Sequence, residues 1–143
     1  MLMMKVVLAS DHAGFALKEE IKKHLEGEGV KVVDVSGPFE EGNDYPPLMR
    51  KGCEVVLHDG IPGIMFGGSG NGEAMAANKV KGVRAAVGYS VETARLARAH
   101  NDANVLSLGA RFVDETLAKQ MVDVFLSTEF EGGRHERRVA DIE

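Results

Sequence analysis

The stretch Gly67-Gly68-Ser69-Gly70-Asn71-Gly72, closed by Glu73, gathers backbone amides and a carboxylate within a few residues. The apolar run Ile64-Met65-Phe66 precedes it, and helix-forming Ala74-Met75-Ala76-Ala77-Asn78-Lys79 follows. A strand, a glycine loop and a helix start in that order make an anion cradle. Glycine permits positive φ and close ligand approach. The first N–H groups of a helix have no partner within it, and the helix dipole favours negative charge beside them. A carboxylate on that first turn stands next to whatever anion is held. This layout suits removing a proton beside a carbonyl and holding the resulting enediolate. The plain alternatives are a flexible turn, and an acid that only complements the helix dipole. The loop lacks the Gly-Lys-Ser/Thr ending of a P-loop and the dinucleotide fingerprint.

Three further groups could join such a site. Asp11-His12 follows an apolar run, either as ligand contacts or as an ordinary helix cap. His100-Asn101-Asp102 lies between a helix end and a strand. An imidazole there could move a proton to a sugar ring oxygen, or could simply offset the dipole. Gly133-Arg134-His135-Glu136-Arg137-Arg138 is basic in an acidic chain. Arg134 and Arg138 are four apart, share a helical face, and could clamp a phosphate with paired hydrogen bonds; a solvated charged face is the alternative. Cys53 has no histidine nearby and reads as packing. His24 and His58 read as surface helix residues, and no set of His, Cys and acids has metal-ligand spacing.

These groups need a scaffold, and the chain alternates strand and helix five times. Strands are expected at 5–10, 30–35, 63–66, 83–89 and 105–108. Helices are expected at 13–28, from 44 onward, after the glycine loop, at 91–100 with Ser90 as N-cap, and at 115–126. The pattern predicts an α/β, Rossmann-like open five-stranded parallel sheet with helices on both faces. Ligands in such sheets bind beyond the carboxyl ends of strands, so Asp11-His12, the glycine loop with Glu73, and the stretch near Arg111 should gather. The 143 residues fit one domain. A net charge of −5 argues against a general nucleic-acid binder. No stretch approaches the roughly 20 apolar residues of a membrane helix, the start shows no signal-peptide layout, and one cysteine fits a reducing cytoplasm.

Taken together, the motifs resemble the type B ribose-5-phosphate isomerase family, which includes isomerases of galactose and allose 6-phosphates. The resemblance runs through Ser10-Asp11-His12-Ala13-Gly14-Phe15, Asp44-Tyr45-Pro46, Gly68-Ser69-Gly70-Asn71-Gly72 and Ala76-Ala77-Asn78-Lys79. It continues in His100-Asn101-Asp102-Ala103-Asn104, Gly109-Ala110-Arg111 and Glu131-Gly132-Gly133-Arg134-His135. It implies a homodimer or dimer of dimers with active sites shared across the interface, a C-terminal helix docked on a partner, and no metal or other cofactor. Many members carry a catalytic cysteine where this chain has Gly67; the chain instead resembles the branch in which the loop glutamate, here Glu73, is the base. The implied reaction interconverts ribose 5-phosphate and ribulose 5-phosphate through a cis-enediolate. His100 and Asp11 would open the ring, and Ser69 with the amides of Gly68, Gly70, Asn71 and Gly72 would hold the enediolate. Arg134 and Arg138 would hold the phosphate, with His12, Arg111 and His135 near it, and Tyr45 and Asn101 would line the sugar. A hexose 6-phosphate isomerase and a non-catalytic phosphosugar-binding module are the alternatives.

Overall fold

The computed structural model describes residues 4–143; the first three residues of the start read above for a signal-peptide layout lie outside them. Five strands form one parallel sheet: β1 (Lys5–Ser10), β2 (Lys31–Asp34), β3 (Gly63–Gly67), β4 (Ala85–Gly88) and β5 (Val105–Gly109). Six helices connect or follow them: α1 (Phe15–Gly27), α2 (Tyr45–Asp59), α3 (Asn71–Asn78), α4 (Val91–Ala99), α5 (Glu115–Ser127) and α6 (Arg134–Ile142). The order across the sheet is β2-β1-β3-β5-β4. Connections from β1 run toward one edge and those from β3 toward the other, so the gap between β1 and β3 is the topological switch point, where ligands bind.

Alternation within the strands divides the core in two. Val6 and Leu8 pack with Ile64, Phe66, Leu106 and Leu108 under α1, α4 and α5. Val7 and Ala9 pack with Met65 and Val105 under α2 and α3. Successive strand residues point to opposite faces, so a run apolar on both sets is a strand covered on both sides. Val6, Val7 and Leu8 are fully buried, each worth about 1.5–3 kcal/mol over exposure.

Local chemistry fixes the helix starts. Ser90 and Thr93 form a reciprocal capping box at α4. The Asp114 carboxylate accepts the Leu117 N–H at 2.8 Å at α5. Prolines occupy the first turn of α2, where a missing N–H is harmless. The expected elements form, with shifted ends. The fourth strand is shorter than its 83–89 reading: Val83 N–H turns back to the Val80 carbonyl. The Asn78 side chain brackets Ala85, accepting from its N–H at 2.7 Å and donating to its carbonyl at 3.0 Å. The basic segment near the chain's end is helical, with His135 and Val139 buried on one side and Arg134 and Arg138 exposed.

Candidate active site

Three buried side-chain atoms among the described residues lack a hydrogen-bond partner: Ser10 Oγ, His12 Nδ1 and Glu73 Oε1. All belong to residues at, or just beyond, the carboxyl ends of β1 and β3. Buried polar groups are ordinarily paired, so each of these atoms is free to take a hydrogen-bond partner from outside the chain.

Glu73 is 4% exposed. Its carboxyl group fills the space over Gly67: a Cβ on Gly67 would fall inside it. Burial first, and the Asp11 charge second, push the Glu73 carboxyl above the usual carboxylate range, while the N–H groups of Glu73 and Gly70 pull it back. Asp11 is 7% exposed and its Oδ1 accepts the Gly14 N–H at 3.0 Å. It therefore caps the turn into α1 and acts electrostatically on Glu73. The His12 N–H donates to Asn43 Oδ1 at 2.8 Å. The Ser10 N–H donates to Ser36 Oγ at 2.7 Å. Asn43 and Ser36 thus fasten the chain around Asp11, which sequence reasoning missed; for Asn43 the signal was its position beside Asp44-Tyr45.

The glycine loop is shaped by its neighbours. Gly70 takes φ +84, a conformation that L side chains resist. Its carbonyl accepts the Ser107 hydroxyl at 2.7 Å. Ser107, fully buried on β5, was not singled out in the sequence because it lies within an otherwise apolar run. Ala110 and Arg111 donate N–H groups to the carbonyls of Gly67 and Gly68 at 2.8 and 3.0 Å. The loops after β3 and β5 are thereby zipped together. The guanidinium carbon of Arg111 lies 3.0 Å from the Cβ position of Gly68. The Tyr45 hydroxyl lies 2.5 Å from that of Gly72. Ser69 and Asn71 are exposed, and Ser69 Oγ accepts the Asn71 N–H at 3.2 Å. Asp11, His12, Tyr45, Arg111, Glu73 and the loop from Gly68 to Gly72 therefore meet at one edge of the sheet, as the alternation predicts.

His100, Asn101, Arg134, His135 and Arg138 do not join them within one chain. Helix α4 leaves the carboxyl end of β4 and returns to the amino end of β5, so His100 and Asn101 lie at the opposite edge. Roughly 15 Å of strand separates the two edges. Glu131 N–H donates to the Ala99 carbonyl at 3.0 Å, which holds the approach to α6 at that edge. The His100 and His135 rings stack at 4.2 Å between centroids and 15° between planes. Cavities of about 470 Å3, bordered by Lys79, Arg84, Asn101 and Glu143, and about 570 Å3, bordered by Leu57, Pro62 and Phe125, also lie along the amino edge, away from Glu73.

Two histidine clusters correct the sequence reading. His24 is half-buried, not a free surface residue: its Nε2 lies 2.8 Å from Asp123 of α5 and 3.4 Å from Glu28. His100, Glu131 and His135 place ligand-type atoms within 4.8 Å of one another, as do His24, Glu28 and Asp123. His58 is exposed, as expected. Cys53 is buried, and burial with the Glu54 charge pushes its thiol up to about 11, which makes it an inert packing residue.

This is a Rossmann-like parallel α/β fold with a buried glutamate, one of its carboxylate oxygens unpartnered, at a glycine loop. Residues 6–142 match the Ribose/Galactose Isomerase family, and the chain belongs to it. Ribose-5-phosphate isomerase B of Escherichia coli is 43% identical over 98% of this chain and 95% of its own length. The structure of a ribose 5-phosphate isomerase from Thermotoga maritima superposes with a TM-score of 0.94 at 46% identity, covering 97% of both chains. That of ribose-5-phosphate isomerase B from Mycoplasma genitalium, with bound ribulose 5-phosphate, gives 0.94 at 43% identity, covering 99% of this chain and 95% of its own.

Proposed function

We propose that this protein is an isomerase interconverting ribose 5-phosphate and ribulose 5-phosphate, with Glu73 as the base. One observation carries the assignment of the base. A carboxyl group buried in the slot left by Gly67, with Oε1 unpartnered, stands beside the amides that would hold an enediolate. His100 gives a proton to the ring oxygen while Asp11 helps remove the C1 hydroxyl proton, so the ring C–O bond breaks as the C1 carbonyl forms. Glu73 takes the C2 proton, and the enediolate charge rests on the amides from Gly68 to Gly72 and the Ser69 hydroxyl. Glu73 then returns the proton at C1 as the hydroxyl proton passes from O2 to O1, leaving the C2 carbonyl of the ketose. Arg134 and Arg138 bind the phosphate beside His12 and Arg111, with Tyr45 and Asn101 against the sugar. The raised carboxyl value keeps Glu73 a stronger base than an exposed glutamate.

Each active site is assembled from two copies of the chain. The residues of the reaction lie at opposite edges of one sheet, and a twofold partner sets the amino edge of one protomer against the carboxyl edge of the other. Exposed Tyr89, Val91 and Phe112, just beyond β4 and β5, and Met75 on α3 border the carboxyl edge and suit such a contact. Each chain is then one domain, with α6 docked on its partner in a homodimer or dimer of dimers. The lone, inert Cys53 suits a reducing cytoplasm.

Glu73→Gln tests the assignment. Deuterium exchange at C2 of ribose 5-phosphate in heavy water should fall by about 1,000-fold or more, with KM little changed. Retention of most exchange by this variant removes Glu73 as base. The same assay on allose and galactose 6-phosphates sets the substrate range, and absence of exchange with every sugar phosphate leaves a binding module.

A further inference from the structure

The proposed reaction uses His100 but leaves its surroundings unexplained. His100 ends α4 with its side chain 35% exposed. A terminal imidazole torsion is broad, so a ring in that position needs something to hold its plane. The ring of His135 does this, lying almost parallel to it at 4.2 Å. His135 itself cannot drift, because α6 buries it to 9% exposure beside Val139. Glu131 Oε1 lies 3.7 Å from His100 Nε2 and 3.9 Å from His135 Nε2, within ion-pair range of both.

A metal ion fits the cluster poorly. Near-parallel rings at this spacing offer no point in both ring planes, where the nitrogen lone pairs lie, and Arg134 and Arg138 add positive charge beside His135. Phosphate binding fits His135 poorly too. Burial foremost, then the charges of His100, Arg134 and Arg138, hold its imidazole below the usual range against the pull of Glu131, which disfavours the charged form that an anion would pair with. Exposed Arg134 and Arg138 are the better anion ligands. The other charges facing the stack are Glu92, which feels His100, and Arg95, which feels Glu131, both on α4.

We infer that His135 is a positioning residue for the ring-opening step: its buried ring is the platform that fixes the plane of His100, and the Glu131 carboxylate stands within ion-pair range of His100 Nε2. The inference rests on the ring-opening role proposed for His100. It assigns His135 to that imidazole and not to the phosphate.

Ribulose 5-phosphate supplies the discriminating measurement. Its C5 oxygen is phosphorylated, so it cannot close a furanose ring, and exchange of its C1 proton with heavy water requires the Glu73 step without ring opening. The informative quantity is the ratio of ribose 5-phosphate turnover to this C1 exchange. A proton donor displaced by about 1 Å can lose up to roughly 100-fold, so His135→Ala should lower the ratio about 10- to 100-fold. His135→Phe, which keeps a flat ring, should recover most of that loss. A wild-type ratio in His135→Ala overturns the inference, whether KM rises, as for a phosphate ligand, or does not. So does a phenylalanine variant no better than alanine. Should the alanine variant unfold, His135→Leu replaces it, and a wild-type ratio there overturns the inference equally. His100→Ala separates the layers. If it leaves the ratio intact, the ring-opening role itself is wrong; if it lowers the ratio while the His135 variants do not, only the platform is wrong.

Discussion

Gly67 and Glu73 compete for one space. The carboxyl group of Glu73 stands where any side chain at position 67 would have to begin, so a base on the strand end and a base on the helix are alternatives in this pocket. Gly67→Ala should expel the Glu73 carboxyl and reduce turnover to near that of Glu73→Gln, measured in the same exchange assay. The buried acid also carries a stability cost whose sign follows from its raised value. The native state holds that proton more firmly than the unfolded chain. The resulting stabilisation is complete below the ordinary glutamate range and lost as pH rises through the raised native value. Glu73→Gln should therefore melt higher than the wild type at pH 7–8. Its advantage should shrink as the pH drops below about 4, where both states of the wild type are protonated. An equal or lower melting temperature at neutral pH would contradict the buried, ionised carboxylate.

At the scale of elements, α1 is tied to β2 by a fully buried lysine. Lys18 Nζ lies 2.7 Å from Asp34 Oδ2, 2.9 Å from Glu19, and 4.3 Å above the Phe15 ring. Burial alone would raise the Asp34 carboxyl. The Lys18 hydrogen bond, the Ser36 N–H and the charges of Lys18 and Lys22 more than offset it, so the value is lowered. The same Asp34 orients Ser36, whose hydroxyl holds the Ser10 N–H next to Asp11. Asp34→Ala would leave the buried ammonium to Glu19, at a cost of about 3–5 kcal/mol in urea unfolding. The wild-type contribution is present above the unfolded aspartate value, near pH 4, and disappears as pH falls through the lowered native value. A change below 1 kcal/mol would mean that Lys18 is not held by this pair.

The whole molecule poses the question of where the second half of each site comes from. If Glu73 of one protomer works with Arg138 of the other, defects in the two residues complement. A mixture of Glu73→Gln and Arg138→Ala chains, unfolded and refolded together, forms dimers in which one site carries both defects and the other carries neither. Activity at low substrate should rise well above that of either variant alone. Arg138→Ala by itself should mainly raise KM, because phosphate contact exists in ground and transition states alike. Mixed chains no more active than the sum of the separate variants would place both residues of a site on one chain.

The alternation of apolar runs and helical stripes was enough to predict five parallel strands with helices on both faces. Backbone periodicity and burial are local properties, and the chain writes them residue by residue. The glycine loop and Glu73 were legible for the same reason, since a strand end, a turn and a helix start are contiguous. Strand β4 was overestimated because its limit is set by Asn78, seven residues away, and not by its own composition. Contacts across longer sequence gaps left no local trace: Ser107 on Gly70 and His135 beneath His100. The division of the candidate site residues between two edges was likewise invisible in their order along the chain. It follows from the way each helix carries the chain back across the sheet, which only the folded topology fixes.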